Sequence, residues 1–269
     1  MPVFWFAVSR VPHINVGNSV LIFIILHLLV YPASNGYNSF MDRDTTPIGG
    51  LEHPLLPTRH LFFTTVVMDV SAVALSLLIS SFFATGILFY ILASRAYSWR
   101  KIRLKKYPVL GYLTVVVFQG AVTFFLVYHG CDINKTLDVP ILGCLSATLL
   151  IGGFYPLTQI YQHQQDAEDG VNTISYMLGY RGTFIFTGIV YALAFIALGL
   201  YFYSELEWKQ FVILQICMSP VIVYFFIWAI KVWGNKEEAN FKNTMRMNLI
   251  GSFFTNAGFI TILIIRLLE

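Results

Sequence analysis

The stretch YPASNGYNSFMDRD, Tyr31–Asp44, sits directly behind an apolar run and carries Asn38, Asp42 and Asp44. It is echoed 124 residues later by YPLTQIYQHQQDAE, Tyr155–Glu168. Aligned without gaps, Tyr31-Pro32 meets Tyr155-Pro156, Tyr37 meets Tyr161, Asn38 meets Gln162, Asp42 meets Asp166 and Asp44 meets Glu168. A polar phrase written twice at equivalent ends of apolar blocks reads as an internal repeat. It divides a single domain, residues 1–269, into two pseudo-repeats at about 15–128 and 139–268. Parallel repeats in membrane proteins place their site where the halves meet.

The rest of the chain agrees with a membrane setting. It is 57% hydrophobic and 12% charged, against roughly 25% charged in soluble domains. The apolar residues form eight blocks: Ser19–Tyr37, Leu61–Ser80, Phe82–Tyr97, Pro108–Tyr128, Val139–Tyr161, Thr183–Tyr203, Phe211–Val232 and Met247–Leu268. Each approaches the ~20 residues of a spanning helix and exceeds the ~10-residue segments of a membrane barrel. The fold expected is all-α, a polytopic bundle of about eight transmembrane helices, with the second and third blocks forming a tight hairpin broken at Ser80-Ser81.

Thirteen of the 17 Lys and Arg residues fall on the side of the bundle that holds the two phrases, which places those loops in the cytoplasm. The net charge of +3 is therefore a topology signal and no pointer to nucleic acid. Cys131, Cys144 and Cys217 read as small buried hydrophobes rather than a disulfide framework. Pro2–Val8 is too short to span and lacks the basic head of a signal peptide; it resembles the tail of a helix.

Residues four apart share a helix face, so Asn38 points with Asp42 and Gln162 with Asp166. Amide and carboxylate oxygens suit Mg²⁺, which takes one or two carboxylates and completes its shell with water and phosphate. Between the phrases lies the most basic loop, YSWRKIRLKKYP, Tyr97–Pro108. Acidic clusters for a metal and a basic loop for phosphate describe a diphosphate site. Taken singly, the acids read equally as solvated loop residues, the basic loop as a topology determinant, and Gly49-Gly50 as a plain turn.

At these residues the chain resembles the UbiA superfamily of intramembrane prenyltransferases, from about Ile14 to the C-terminus. One family motif falls on NSFMDRDTT, where Asn38, Asp42 and Asp44 match while Ser39 and Thr46 replace aspartates. A second falls on QHQQDAEDGVNTISYMLG, where Asp166, Gly170, Thr173 and Gly179 match and Gln162 replaces an aspartate. A third pairs Tyr97 with Lys101, within a wider phrase matching Ser98, Arg103, Leu104, Lys105 and Pro108.

The resemblance implies a horseshoe of nine helices around a lipid-open cavity and transfer of an isoprenyl group from an isoprenyl diphosphate, with Mg²⁺, to a hydrophobic acceptor, small and aromatic or a quinone precursor. It implies Asn38, Asp42, Asp44, Gln162 and Asp166 as metal ligands and Asn38, Tyr97, Lys101, Arg103, Lys105 and Gln162 as substrate contacts. Asp42 and Asp166 are then catalytic, and Asp69, deep in an apolar block, is either a proton acceptor or a paired structural carboxyl. Most aromatic side chains read as packing or lipid-facing residues; Tyr31, Tyr37, Tyr97, Tyr155 and Tyr161 lie closest to the motifs and are the candidates for a face that meets an allylic cation. The three lost carboxylates imply fewer metal ions, weaker diphosphate binding or a changed reaction. A terpene cyclase of the same fold and a non-catalytic transporter or lipid-binding protein are the alternatives.

Overall fold

The computed structural model describes residues 2–43 and 47–269, and among them forms helices and no strand. Asp44 and Thr46 lie outside the described residues. Within those described, nine helices succeed one another: α1 (Pro2–Val8), α2 (Val16–Asp42), α3 (Arg59–Ser76), α4 (Ser81–Ser98), α5 (Pro108–Cys131), α6 (Ile141–Glu168), α7 (Ile174–Ser204), α8 (Trp208–Gly234) and α9 (Phe241–Leu268). Among the described residues, six of these, α2 and α5 to α9, are long and apolar enough to cross a membrane. Helices α3 and α4 have 18 residues each, about 27 Å at 1.5 Å per residue, and carry Asp69 and Arg95 in their interiors.

The eight apolar blocks correspond to α2 through α9. Their outer faces show why water is the wrong solvent. Along α7, Ile189, Leu193, Ile196 and Leu200 recur at helical spacing and are exposed, while Val190, Ala194, Ala197 and Tyr201 turn inward. A continuous apolar stripe pointing outward is a lipid-facing surface.

Local chemistry sets the helix ends. Ser80 closes the α3–α4 hairpin with extended backbone, and its hydroxyl accepts the amide of Phe83 at 3.0 Å, satisfying one orphan donor of the new helix. Asn15, Thr173 and Asn240 cap α2, α7 and α9 in the same way. In α2 a wide π turn, Ile25–Val30, precedes Pro32, a place where the missing proline N–H is accommodated.

The helices pack largely in chain order, α2 with α3 and α4, then α5 with α6, α6 with α7, α7 with α8 and α8 with α9. Helix α1 closes the row by packing against both α5 and α9. Its Phe6 is fully buried, 4.8 Å from the ring of Phe124 and 4.6 Å from that of Phe259. Just past it, Arg10 pairs with Glu207 in the α7–α8 connection, and Arg266 of α9 donates to the carbonyl of Ser9. The short N-terminal segment is thus an integral ninth helix of the bundle.

Candidate functional site

The ends of α2, α4 and α6 and the start of α5 surround a cavity of about 580 Å³. Its mouth is lined by Asn38, Asp42, Arg43, Lys105, Gln162, Asp166, Glu168 and Asp169, and its floor by Tyr90, Val115, Phe118, Gln119 and Tyr155. The two phrases, 124 residues apart in sequence, therefore face one space.

The basic loop enters this space by a sharp reversal. Arg103 adopts a left-handed backbone (φ 49°) and Leu104–Lys106 form one 3₁₀ turn before Pro108 starts α5. The turn lies directly on α5 at Gly111, where a Cβ would come 3.0 Å from Lys105 Cα and 3.2 Å from the Leu104 carbonyl oxygen. No side chain fits there without moving the loop. The result is a largely buried Lys105 whose ammonium binds Asp42 Oδ2 and lies 3.4 Å from Asn38 Oδ1. The Ser98 hydroxyl donates to the same Asn38 oxygen at 2.7 Å.

Arg103 works from behind. It does not line the cavity but joins its two acidic walls, binding the carboxylate of Asp169 and standing 3.5 Å from Asp42 Oδ1. Asp42 Oδ1 and Arg103 Nε are both buried without a hydrogen bond, which is costly unless a ligand or water completes them.

The second acidic wall is shaped by polar contacts after α6. The Val171 amide donates to the Asp166 carbonyl at 2.7 Å, and the Thr173 hydroxyl lies 3.5 Å from Asp166 Oδ2. A buried knot anchors this loop: His163 Nε2 shares a 2.8 Å hydrogen bond with Ser175, whose hydroxyl lies 3.0 Å from that of Thr183. The knot folds back because Gly179 breaks α7 at φ 67°, ψ 174°, a conformation that side-chain-bearing residues avoid. Gln162 donates to the Pro47 carbonyl at 3.5 Å. Across the cavity the hydroxyls of Tyr97 and Tyr155 are hydrogen-bonded to each other, and Gln159 donates to Tyr155 at 2.9 Å.

Of the residues expected from sequence, Asn38, Asp42, Tyr97, Lys105, Gln162 and Asp166 line the cavity. Lys101 does not; it is exposed, with its ammonium 5.7 Å from the Trp99 ring. Asp69 does not either. It forms an ion pair with Arg95 of the facing helix, whose guanidinium also lies 4.0 Å from the Tyr37 ring. Residues that sequence reasoning left out of the site are Arg43, Gln119 and Gln159, while Ser98 and Asp169 lay within the motif phrases. The two glutamines carried a signal, since an uncharged amide inside an apolar helix needs a partner or a ligand.

Magnesium requires oxygen ligands in near-octahedral array and keeps several waters or phosphate oxygens. Among the described residues no cluster of three or more His, Cys, Asp or Glu side chains forms a closed metal cage. The donor chemistry present is carboxylate and amide oxygen on two facing walls, which fits an ion that draws part of its shell from a bound diphosphate.

The fold recurs in solved structures. A UbiA homologue from Aeropyrum pernix K1 superposes with a TM-score of 0.71 at 17% identity, over 97% of this chain and 95% of that one. A UbiA homologue from Archaeoglobus fulgidus, solved bound to GPP and Mg²⁺, gives 0.67 at 19% identity, over 97% and 94%. A digeranylgeranylglyceryl phosphate synthase gives 0.64 at 17% identity, over 98% and 91%. Comparison with curated proteins finds no significant match. The profile of the UbiA prenyltransferase family matches residues 1–250, and on that match, joined to the shared fold, the chain belongs to the UbiA prenyltransferase family.

Proposed function

We propose that the protein transfers an isoprenyl group from an isoprenyl diphosphate to a small acceptor, aromatic or a quinone precursor, inside the membrane. The observation that carries this reading is the single cavity in which two acidic walls and Lys105 stand over an aromatic floor. The family match and the Archaeoglobus relative solved with GPP and Mg²⁺ support it. The mouth, on this reading, opens to the cytoplasm, in keeping with the excess of Lys and Arg at that end. The two walls come from pseudo-repeats of about residues 15–128 and 139–268.

The chemistry is set by where charge develops. The allylic C1–O bond breaks with its electron pair going to the diphosphate, and Lys105, with Arg43 at the rim, meets the growing negative charge. Mg²⁺, when bound, supplies further neutralisation at the diphosphate oxygens, and its ligands are drawn from Asn38, Asp42, Gln162 and Asp166. The faces of Tyr90, Phe118 and Tyr155 flank the cation left behind. A π bond of the acceptor then closes on C1, and the proton displaced goes to an oxygen of the departing diphosphate. Asp69, held by Arg95 away from the cavity, takes no part.

Purified protein incubated with labelled geranyl, farnesyl and geranylgeranyl diphosphates and Mg²⁺ tests the proposal. Acceptor-dependent prenylated product is expected. A cyclised hydrocarbon formed without acceptor replaces transfer by cyclisation, and absence of consumption of every donor refutes both.

A further inference from the structure

The cavity sorts its charges by depth. Among the described residues, the basic side chains that line it are Arg43 and Lys105, and both stand at the mouth. Below them the lining is neutral. Ser34 comes from α2, Ser94 from α4, Gln119 from α5 and Gln159 from α6, and on the floor the rings of Tyr90 and Phe118 meet edge to face at 6.0 Å. Arg95, next to Ser94 in sequence, does not line the cavity; it pairs with Asp69 and donates to the carbonyls of Ala33 and Thr65.

One group in the neutral part lacks a partner. Gln159 precedes Gln162 by about one helical turn along α6, so it stands between the mouth and the floor. It is 7% exposed, its Nε2 donates to the Tyr155 hydroxyl at 2.9 Å, and its Oε1 is buried without a hydrogen bond. A buried amide oxygen left unpaired is costly unless a ligand supplies a proton to it. With Nε2 committed to Tyr155, the group this side chain can receive is a donor, an O–H or N–H. The same oxygen repels a carboxylate.

Once a diphosphate fills the mouth, the cations there face its oxygens, and an acceptor must enter the neutral part. A carboxylate carried into that part would lose water without gaining a cation, and it would lie beside the anionic diphosphate. A hydroxyl is spared this, because the Gln159 oxygen replaces the water it gives up. Resting on the reading of the cavity as a prenyl-transfer site, we infer that the acceptor is an uncharged hydroxylated aromatic ring, a phenol or quinol without a carboxylate. Gln159 Oε1 accepts a hydrogen bond from one of its hydroxyls, and the residue sets acceptor specificity.

Binding tests this apart from turnover. Protein in detergent, loaded with geranyl thiolodiphosphate and Mg²⁺, is titrated calorimetrically under argon with hydroquinone and with naphthohydroquinone, each with and without a ring carboxylate. At least one neutral ring is expected to bind, and to do so at least tenfold more tightly than its carboxylate. Gln159→Leu is expected to lose at least tenfold in affinity for that ring while holding the thiolodiphosphate as before. A carboxylate that matches or exceeds its neutral partner on the unaltered protein overturns the inference, and so does failure of both neutral rings to bind. A Gln159→Leu protein that keeps its heat-unfolding midpoint, binds the thiolodiphosphate and retains full affinity for the neutral ring overturns it as well. Failure of the unaltered protein to bind the thiolodiphosphate with Mg²⁺ overturns the diphosphate reading itself, so the two failures are told apart.

Discussion

Asp42 and Asp69 are both carboxylates in the membrane part of the chain, and both are ion-paired with a basic residue far along the sequence, Lys105 and Arg95. Yet one lines a cavity and the other does not. Asp69 sits mid-helix in α3, opposite Arg95 on the other arm of the α3–α4 hairpin, and the Arg95 guanidinium is further occupied by the carbonyls of Ala33 and Thr65. That pair is a strut between three helices. Asp42 ends α2, its partner rides on a loop, and an oxygen of Asp42 and a nitrogen of Arg103 remain without hydrogen bonds. A fully satisfied pair stabilises; a partly satisfied one, open to a cavity, is poised for a ligand.

That contrast is open to experiment. The largest effect is expected from Asp166→Ala and Asp42→Ala, each lowering turnover of isoprenyl diphosphate by at least 100-fold, the scale of removing one electrostatic contact to a transition state. The heat-unfolding midpoint of Asp166→Ala should stay within a few degrees of the unaltered protein, whereas Asp42→Ala, which leaves the buried Lys105 without its carboxylate, should also unfold earlier. Full activity of either variant would break the assignment of the walls.

Asp69→Asn should lower stability and spare turnover. Leaving Arg95 unpaired is expected to cost about 3 kcal/mol of stability, read by the unfolding midpoint, with turnover per folded molecule within about threefold. Adding Arg95→Gln should restore most of the loss, since removing both charges removes the unpaired one. If Asp69→Asn is stable and inactive, the distinction between strut and site collapses.

A third, smaller effect sharpens the role of the loop. Gly111→Ala pushes on the turn that carries Lys105 and is expected to raise KM for the diphosphate about tenfold while kcat changes less, an order of magnitude corresponding to about 1.4 kcal/mol. The smallest belongs to Lys101→Ala, whose side chain lies on Trp99 in solvent: less than a twofold change in kcat/KM, as for most exposed substitutions.

The sequence made much of this legible because its signals were long or repeated. Apolar blocks of helix length define α2 to α9, and the duplicated phrase brings Asp42 and Asp166 into one view. What escaped depends on single backbone angles and cross-helix registers. Lys105 rather than Lys101 faces the cavity because Arg103 takes a positive φ, a choice that a non-glycine residue does not announce. Asp69 was visible as an unusual carboxyl, but its answer, Arg95, lies across a hairpin whose register is set by packing. Asp169 is legible in sequence as an acid beside Asp166, but only the fold brings Arg103 to bind it. Pro2–Val8 carries too few residues for periodicity to distinguish a packed helix from a tail.

The clasp between the first helix and the last also has a consequence for biosynthesis. Ser9 and its partner Arg266 are 257 residues apart, and at ~5 to 20 residues per second synthesis of that interval lasts on the order of 10 to 50 s. Through that time α1 has left the ribosome and can meet α5, while α9, the other helix it packs against, is not yet complete. Until the α7–α8 connection that carries Glu207 is made, Arg10, almost wholly buried in the finished fold, must keep its guanidinium in headgroups or water, as a long basic side chain can by reaching toward the interface. Chains arrested on the ribosome before α9 should therefore leave a cysteine placed at Ser9 open to a membrane-impermeant thiol reagent supplied on its own side of the bilayer, and released chains should shield it. Equal labelling of both would show that the clasp forms without its last helix.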